Sequence, residues 1–63
     1  MPKTTVKVKL TGEDGNAFFI LGRVSSALKR EGHPELAKEF IKEAIKGDYD
    51  HLLQTVMEYV ETE

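Results

Sequence analysis

Thr4-Thr5-Val6-Lys7-Val8-Lys9-Leu10 alternates apolar and polar side chains with period two, and it is the one convincing β-strand in the chain. A strand leaves its backbone N–H and C=O groups unpaired unless another strand lies beside it, so this segment must find a partner. Nothing after residue 21 offers a second strand of comparable quality. The partner is therefore a short, weak stretch of the same chain or the same strand of another copy. Val6, Val8 and Leu10 share the face suited to a core, while Thr5, Lys7 and Lys9 share the face suited to water.

The size of the chain sharpens that choice. Sixty-three residues make one domain, residues 1 to 63, near the lower limit for unaided folding. Small scaffolds are commonly held by disulfides, metals or self-association. There is no cysteine, which excludes disulfides and thiolate zinc sites and leaves self-association as the natural staple. No apolar run approaches the ~18 residues of a membrane span, and no signal-peptide core follows Lys3, so a cytoplasmic protein with no membrane association is expected. The net charge of -2 is unevenly spread: residues 1 to 30 carry six Lys/Arg against two Asp/Glu, and residues 31 to 63 carry three against nine. Such polarity permits steering of a partner or attraction between copies.

Thr11-Gly12-Glu13-Asp14-Gly15-Asn16 is dense in turn formers and ends the strand. Two continuations compete. In one, Asp14 or Asn16 caps a helix from about Ala17 to Arg30, with Ala17, Ile20, Leu21, Val24, Ala27 and Leu28 as its apolar stripe and Gly32 closing it. In the other, Ala17 to Leu21 turns back as a strand, since Phe18, Phe19 and Ile20 suit a sheet. The helix is favoured, because the stripe stays in helical phase beyond Gly22. That glycine costs about 1 kcal/mol against alanine within a helix, and close packing against a neighbour would be its reason.

Pro34 suits the first position of a second helix, whose stripe is Leu36, Ala37, Phe40, Ile41, Ala44 and Ile45 and which Gly47 stops. Its outer face offers Glu35/Lys38, Glu39/Lys42 and Glu43/Lys46 as ion pairs. Asp48 caps a third helix with the stripe Tyr49, Leu52, Leu53, Val56, Met57 and Val60. Glu61-Thr62-Glu63 then places negative charge at the wrong end of the helix dipole, so fraying is expected there. The alternative makes Tyr59 to Thr62 an extended tail paired with the opening strand.

Chemistry-bearing motifs are scarce. Gly12-Glu13-Asp14-Gly15 has the GXXG spacing of a nucleic-acid clamp, but two adjacent acids repel phosphate. No phosphate-cradling glycine loop occurs. Asp48, Asp50 and His51 crowd one helix start without converging as metal ligands, and Asp48 is better used as a cap. Ser25 and Ser26 lie mid-helix without the sharp turn that exposes a nucleophile. These observations predict no enzymatic activity, no metal and no cofactor. Phe19 lies off the main apolar stripe, which makes it the aromatic most suited to anchoring a partner; Tyr49 belongs to the core stripe, and Tyr59 and Phe18 are lesser candidates.

The strings Val6-Lys-Val-Lys-Leu-Thr-Gly-Glu-Asp-Gly-Asn-Ala-Phe18 and Gly47-Asp-Tyr-Asp-His-Leu-Leu-Gln-Thr-Val-Met-Glu-Tyr-Val60 resemble a group of small bacterial proteins of unknown function, often encountered near phage or plasmid genes. The resemblance implies an accessory protein that acts by binding. In architecture, an alternating strand followed by helices resembles the ribbon-helix-helix DNA-binding proteins, in which two copies pair their strands in the major groove. That resemblance implies nucleic-acid contact through Thr5, Lys7 and Lys9, but Glu13, Asp14 and the acidic balance of the chain disfavour DNA.

The reading is an α+β domain with one N-terminal strand and three amphipathic helices in a small bundle. The strand is expected to pair through Val6, Val8 and Leu10 across a homodimer. The expected function is that of a non-enzymatic protein-interaction module associated with mobile elements. Phe19, Glu58 and Glu61 are its candidate contacts with an unidentified protein partner.

Overall fold

The opening strand finds its partner within the same chain. In the computed structural model, which describes residues 2–10 and 16–62, β1 (Lys7–Val8) and β2 (Glu61–Thr62) enclose three helices, α1 (Ala17–Arg30), α2 (Pro34–Ala44) and α3 (Tyr49–Tyr59). The two strands run parallel, with Lys7 beside Glu61 and Val8 beside Thr62. The fold is α+β. The expected turn over residues 11 to 15 and its GXXG spacing lie outside the described residues.

Each helix follows from local chemistry. Asn16 Oδ1 accepts from the Phe18 N–H at 2.9 Å, so Asn16 is the cap and residues 17 to 21 are helical, not the return strand of a hairpin. At the other end His33 N–H reaches the Leu28 carbonyl at 2.7 Å and Gly32 N–H reaches Lys29 at 3.1 Å. This double bond pattern needs a left-handed residue just past the helix, and Gly32 supplies it at φ 88°. Pro34 opens α2, and Asp48 Oδ1 caps α3 by accepting from His51 N–H at 3.0 Å. Gly47 before that cap has a steric reason, since a Cβ there would lie 2.7 Å from His51 Cβ. The His51 ring in turn hydrogen-bonds the Glu43 carbonyl through Nε2 at 2.8 Å. Among the described residues, no helix is long and apolar enough to cross a membrane.

The core is built by Val6 and Val8 from the strand, Ile20, Val24, Ala27 and Leu28 from α1, Ala37, Phe40 and Ala44 from α2, and Leu52, Val56, Tyr59 and Val60 at the end of the chain. Leu10, Leu21, Leu36 and Leu53 pack at its margin. Several expectations need correction, among them the core-stripe places of Ile41 and Ile45 on α2, which are 36% and 63% exposed. Tyr59 is 2% exposed, packed edge-on against Phe40 with ring centroids 5.7 Å apart, and so cannot anchor a partner. Tyr49 and Met57, placed in the core stripe by spacing, are 41% and 54% exposed. The buried side of α3 runs instead through Leu52, Thr55, Val56 and Tyr59.

That segment also explains why α3 ends without fraying into solvent. A helix leaves its last carbonyls without intrahelical partners. Here Lys3 N–H donates to the Glu58 carbonyl at 2.8 Å, and the buried Thr4 hydroxyl donates to the Tyr59 carbonyl at 2.7 Å. Val60 then leaves the helix in extended conformation, and Glu61 N–H donates to the Val6 carbonyl at 2.8 Å. The start of the chain thus caps α3 and captures the tail as β2.

A polar cluster closes over this junction. The Tyr59 hydroxyl donates to Glu39 Oε2 at 2.6 Å, while Lys3 Nζ sits 3.5 Å from the same oxygen and 5.2 Å from the Tyr59 ring centre. Burial, then the Glu39 hydrogen bond, pushes the Tyr59 phenol well above its ordinary range. The Tyr59 hydrogen bond holds the Glu39 carboxyl below its ordinary value despite some desolvation, and Lys3 lowers it further. Of the ion pairs expected along α2, the structure shows Glu43–Lys46 at 2.9 Å, while Glu39 turns to Lys3 instead of Lys42.

Candidate functional site

A parallel pair of strands uses the backbone groups of alternate residues on each edge. Glu61 N–H bonds the Val6 carbonyl in the register that sets Lys7 beside Glu61, so Val6 and Val8 direct their peptide groups toward β2. The N–H and C=O of Thr5, Lys7 and Lys9 therefore face the opposite edge. On that edge the Lys9 carbonyl accepts from Arg23 Nη1 of α1 at 3.2 Å. Among the described residues, no backbone hydrogen bond reaches the peptide groups of Lys7.

Between this open edge and α1 runs a groove of about 550 Å³, lined by Lys7, Val8 and Lys9 on one side and by Phe18, Phe19, Gly22, Arg23, Ser26, Ala27 and Arg30 on the other. Helical spacing explains the α1 wall. Residues 19, 22, 23, 26 and 30 recur at intervals of three and four, which places them on one stripe beside the core stripe of Ile20, Val24, Ala27 and Leu28. Gly22, Ser26 and Ala27 are small and leave a trough, whereas Phe19, Arg23 and Arg30 are large and stand around it. A Cβ on Gly22 would meet nothing within 4 Å. Its expected role in close packing is thus corrected: the glycine leaves open space.

Charge and apolar surface coincide here. Lys7, Lys9, Arg23 and Arg30 are all exposed, and no carboxylate is among the described residues that line the groove. Arg23 is held in place twice, by its bond to Lys9 and by stacking 4.9 Å above the Phe19 ring centre. Phe18 is 82% exposed and Phe19 43%.

The structure brings together some of the residues singled out by sequence. Phe19, Lys7 and Lys9 meet in the groove, and Thr5 is exposed on the same strand. Val6 and Val8 are buried in the chain's own core and Leu10 lies at its margin, so their apolar face is covered without a second copy. Glu58 and Glu61 are exposed at the end of α3 and on β2 and do not line the groove. Arg23 and Arg30 stand out by no motif; their signal is the off-core stripe of α1 that runs on from Phe19, and Gly22, expected to serve close packing, belongs to that stripe as well.

The arrangement offers binding surface more than reactive chemistry. Ser26 is the groove's hydroxyl, while His51 is occupied by the Glu43 carbonyl and His33 lies in the connection before α2. Among the described residues, no three His, Asp or Glu side chains converge as metal ligands. A smaller hollow of about 290 Å³ lies between the start of α1 and the α2–α3 connection, where Ala17, Leu21, Ile45 and Tyr49 form a mostly apolar lining. In comparisons with known proteins the chain matches no family model, no curated protein and no solved structure.

Proposed function

We propose that the protein is a non-enzymatic interaction module that docks a partner protein in the groove between the open edge of β1 and α1. The observation that carries this reading is that, among the described residues, the Lys7 peptide group has no backbone partner beside a groove that gathers four cationic side chains and two exposed phenylalanine rings. Interfaces draw their energy from aromatic and arginine anchors, and open strand edges pair readily with another chain. The resemblance to small proteins found near phage or plasmid genes fits an accessory role in the cytoplasm.

A second reading has support from the same groove. Cations that track a backbone beside exposed aromatic rings also suit single-stranded nucleic acid, whose bases stack on such rings. Against it stand the net charge of -2 and the position of Glu61 beside Lys7. The two readings separate in a capture experiment from nuclease-treated cell extract. A protein partner should survive nuclease, be lost with Phe19→Ser plus Arg30→Glu, and be retained with Glu58→Lys plus Glu61→Lys. Retention by the groove variant with loss in the acidic variant would move the docking surface to the end of α3. Loss on nuclease treatment would favour nucleic acid.

A further inference from the structure

We infer that the groove's ligand is an extended, acidic segment of the partner that adds to β1 as a third strand, on the edge opposite β2. This rests on the docking reading above and names the chemistry of what docks.

Three observations converge on it. First, the Lys7 peptide group faces the groove, and an extended backbone is the ligand that satisfies both its N–H and its C=O. The Lys9 carbonyl is already bonded to Arg23, so pairing centres on Lys7. Second, Lys7, Lys9, Arg23 and Arg30 surround the edge, and Arg23 keeps further guanidinium donors for a carboxylate. Third, Gly22, Ser26 and Ala27 keep the floor low enough to admit a main chain, while Phe18 and Phe19 offer apolar contact to alternate side chains.

The same geometry argues against a second copy as occupant. Two β1 strands paired edge to edge would bring Lys7 and Lys9 of one copy alongside those of the other, and like charges facing across a ladder are destabilising. An acidic strand reverses that sign. Nucleic acid would answer the cations but leave the Lys7 peptide groups without a matching backbone ladder.

The test is an NMR titration of the amide-labelled full chain with a capped peptide alternating glutamate and valine. Parallel titrations use the same peptide with proline at its centre, a lysine-for-glutamate version and an oligo-dT strand. The expected result is saturable shifts at Lys7, Lys9, Gly22 and Arg23, slowed exchange of the Lys7 amide, and binding about tenfold weaker or worse for the proline and lysine peptides. Arg30→Glu, with its helical circular dichroism unchanged, should weaken the acidic peptide by about tenfold as well. Equal binding of the proline peptide overturns strand addition but leaves docking in the groove intact. Failure of the acidic peptide, or tighter binding by the lysine peptide, overturns the ligand class alone. Tighter binding of oligo-dT at the same amides overturns both this inference and the protein-docking reading. A Lys7 amide that loses protection on dilution of the free protein gives the edge to a second copy and overturns the inference.

Discussion

Replacing Thr4 by valine removes one oxygen at the point where the two ends of the chain meet, and the cost can be worked from its bonds. The hydroxyl donates to the Tyr59 carbonyl at 2.7 Å and accepts from the Val6 N–H at 3.2 Å, in a residue only 8% exposed. Each bond is worth about 1 kcal/mol net, and a partner left unsatisfied out of reach of water adds its own desolvation penalty. Thr4→Val should therefore destabilise by about 2–3 kcal/mol. A chain of this size has a total stability of roughly 3–9 kcal/mol, so the melting temperature should fall by about 10–20 °C. Thr4→Ser keeps the oxygen and loses one methyl group, for about 1 kcal/mol. Urea unfolding of the three proteins measures the differences, and hydrogen exchange of the Glu61 amide reports whether the β1–β2 pair has opened. A Thr4→Val protein within ~0.5 kcal/mol of the parent, or a Thr4→Ser protein that falls as far as the valine variant, would refute the reasoning.

Other perturbations separate stability from the groove. Gly47→Ala would drive a Cβ to 2.7 Å from His51 Cβ, an atom fixed to its helix, so thermal melts should show a loss of about 1–3 kcal/mol; an unchanged melting point would mean that the α2–α3 connection yields freely. Gly22→Ala should do the opposite, stabilising α1 by about 1 kcal/mol because its new methyl meets nothing, yet it should weaken binding of an acidic peptide by raising the groove floor. Stability should also depend on pH at both extremes. The Tyr59 phenol is raised in the folded chain, so its contribution is complete below the ordinary value of 10.0 and is lost as pH climbs from there through the folded value; Tyr59→Phe should lack this alkaline limb in urea midpoints. Glu39 is lowered, so its contribution is present above the ordinary value of 4.5 and disappears as pH falls through the folded value, and Glu39→Gln should flatten that acid limb.

Much of the architecture is legible in the residues because it is local. The Asn16 and Asp48 caps, Pro34 at a helix start and Gly32 just past a helix end are short-range effects, and α1 spans the residues its periodicity predicts. What escapes is whatever depends on distant contact. Glu61-Thr62 has no strand pattern of its own, so an extended tail paired with the opening strand is legible only as the alternative to a frayed helix end, and contact with Val6 decides for it. Tyr59 reads as an exposed aromatic until Phe40 and Glu39 are seen to enclose it. For the site, Phe19, Lys7 and Lys9 could be marked from exposure patterns alone. Arg23 and Arg30 look like ordinary solvated helix charges until the strand is laid across α1.

The parity of the strand gives this small protein a way to keep folding and binding apart. Even-numbered residues do the folding: Thr4 caps α3, Val6 and Val8 enter the core, and the Val6 carbonyl holds β2. From residue 5 onward the odd-numbered residues, Thr5, Lys7 and Lys9, are exposed and turn their peptide groups away from β2. A change at Lys7 or Lys9 therefore alters the groove without touching the core, whereas a change at Thr4 or Val6 loosens β2 and, with it, the rigidity of the edge that a ligand would meet. It follows that Lys7→Glu and Lys9→Glu should leave the urea midpoint within ~0.5 kcal/mol of the parent, as surface substitutions generally do. The same two changes set two negative charges against the remaining Arg23 and Arg30 and should abolish the groove's preference for acidic over basic peptides. If those substitutions instead unfolded the chain, the odd-numbered face would be structural, and the groove would lose its standing as a binding surface.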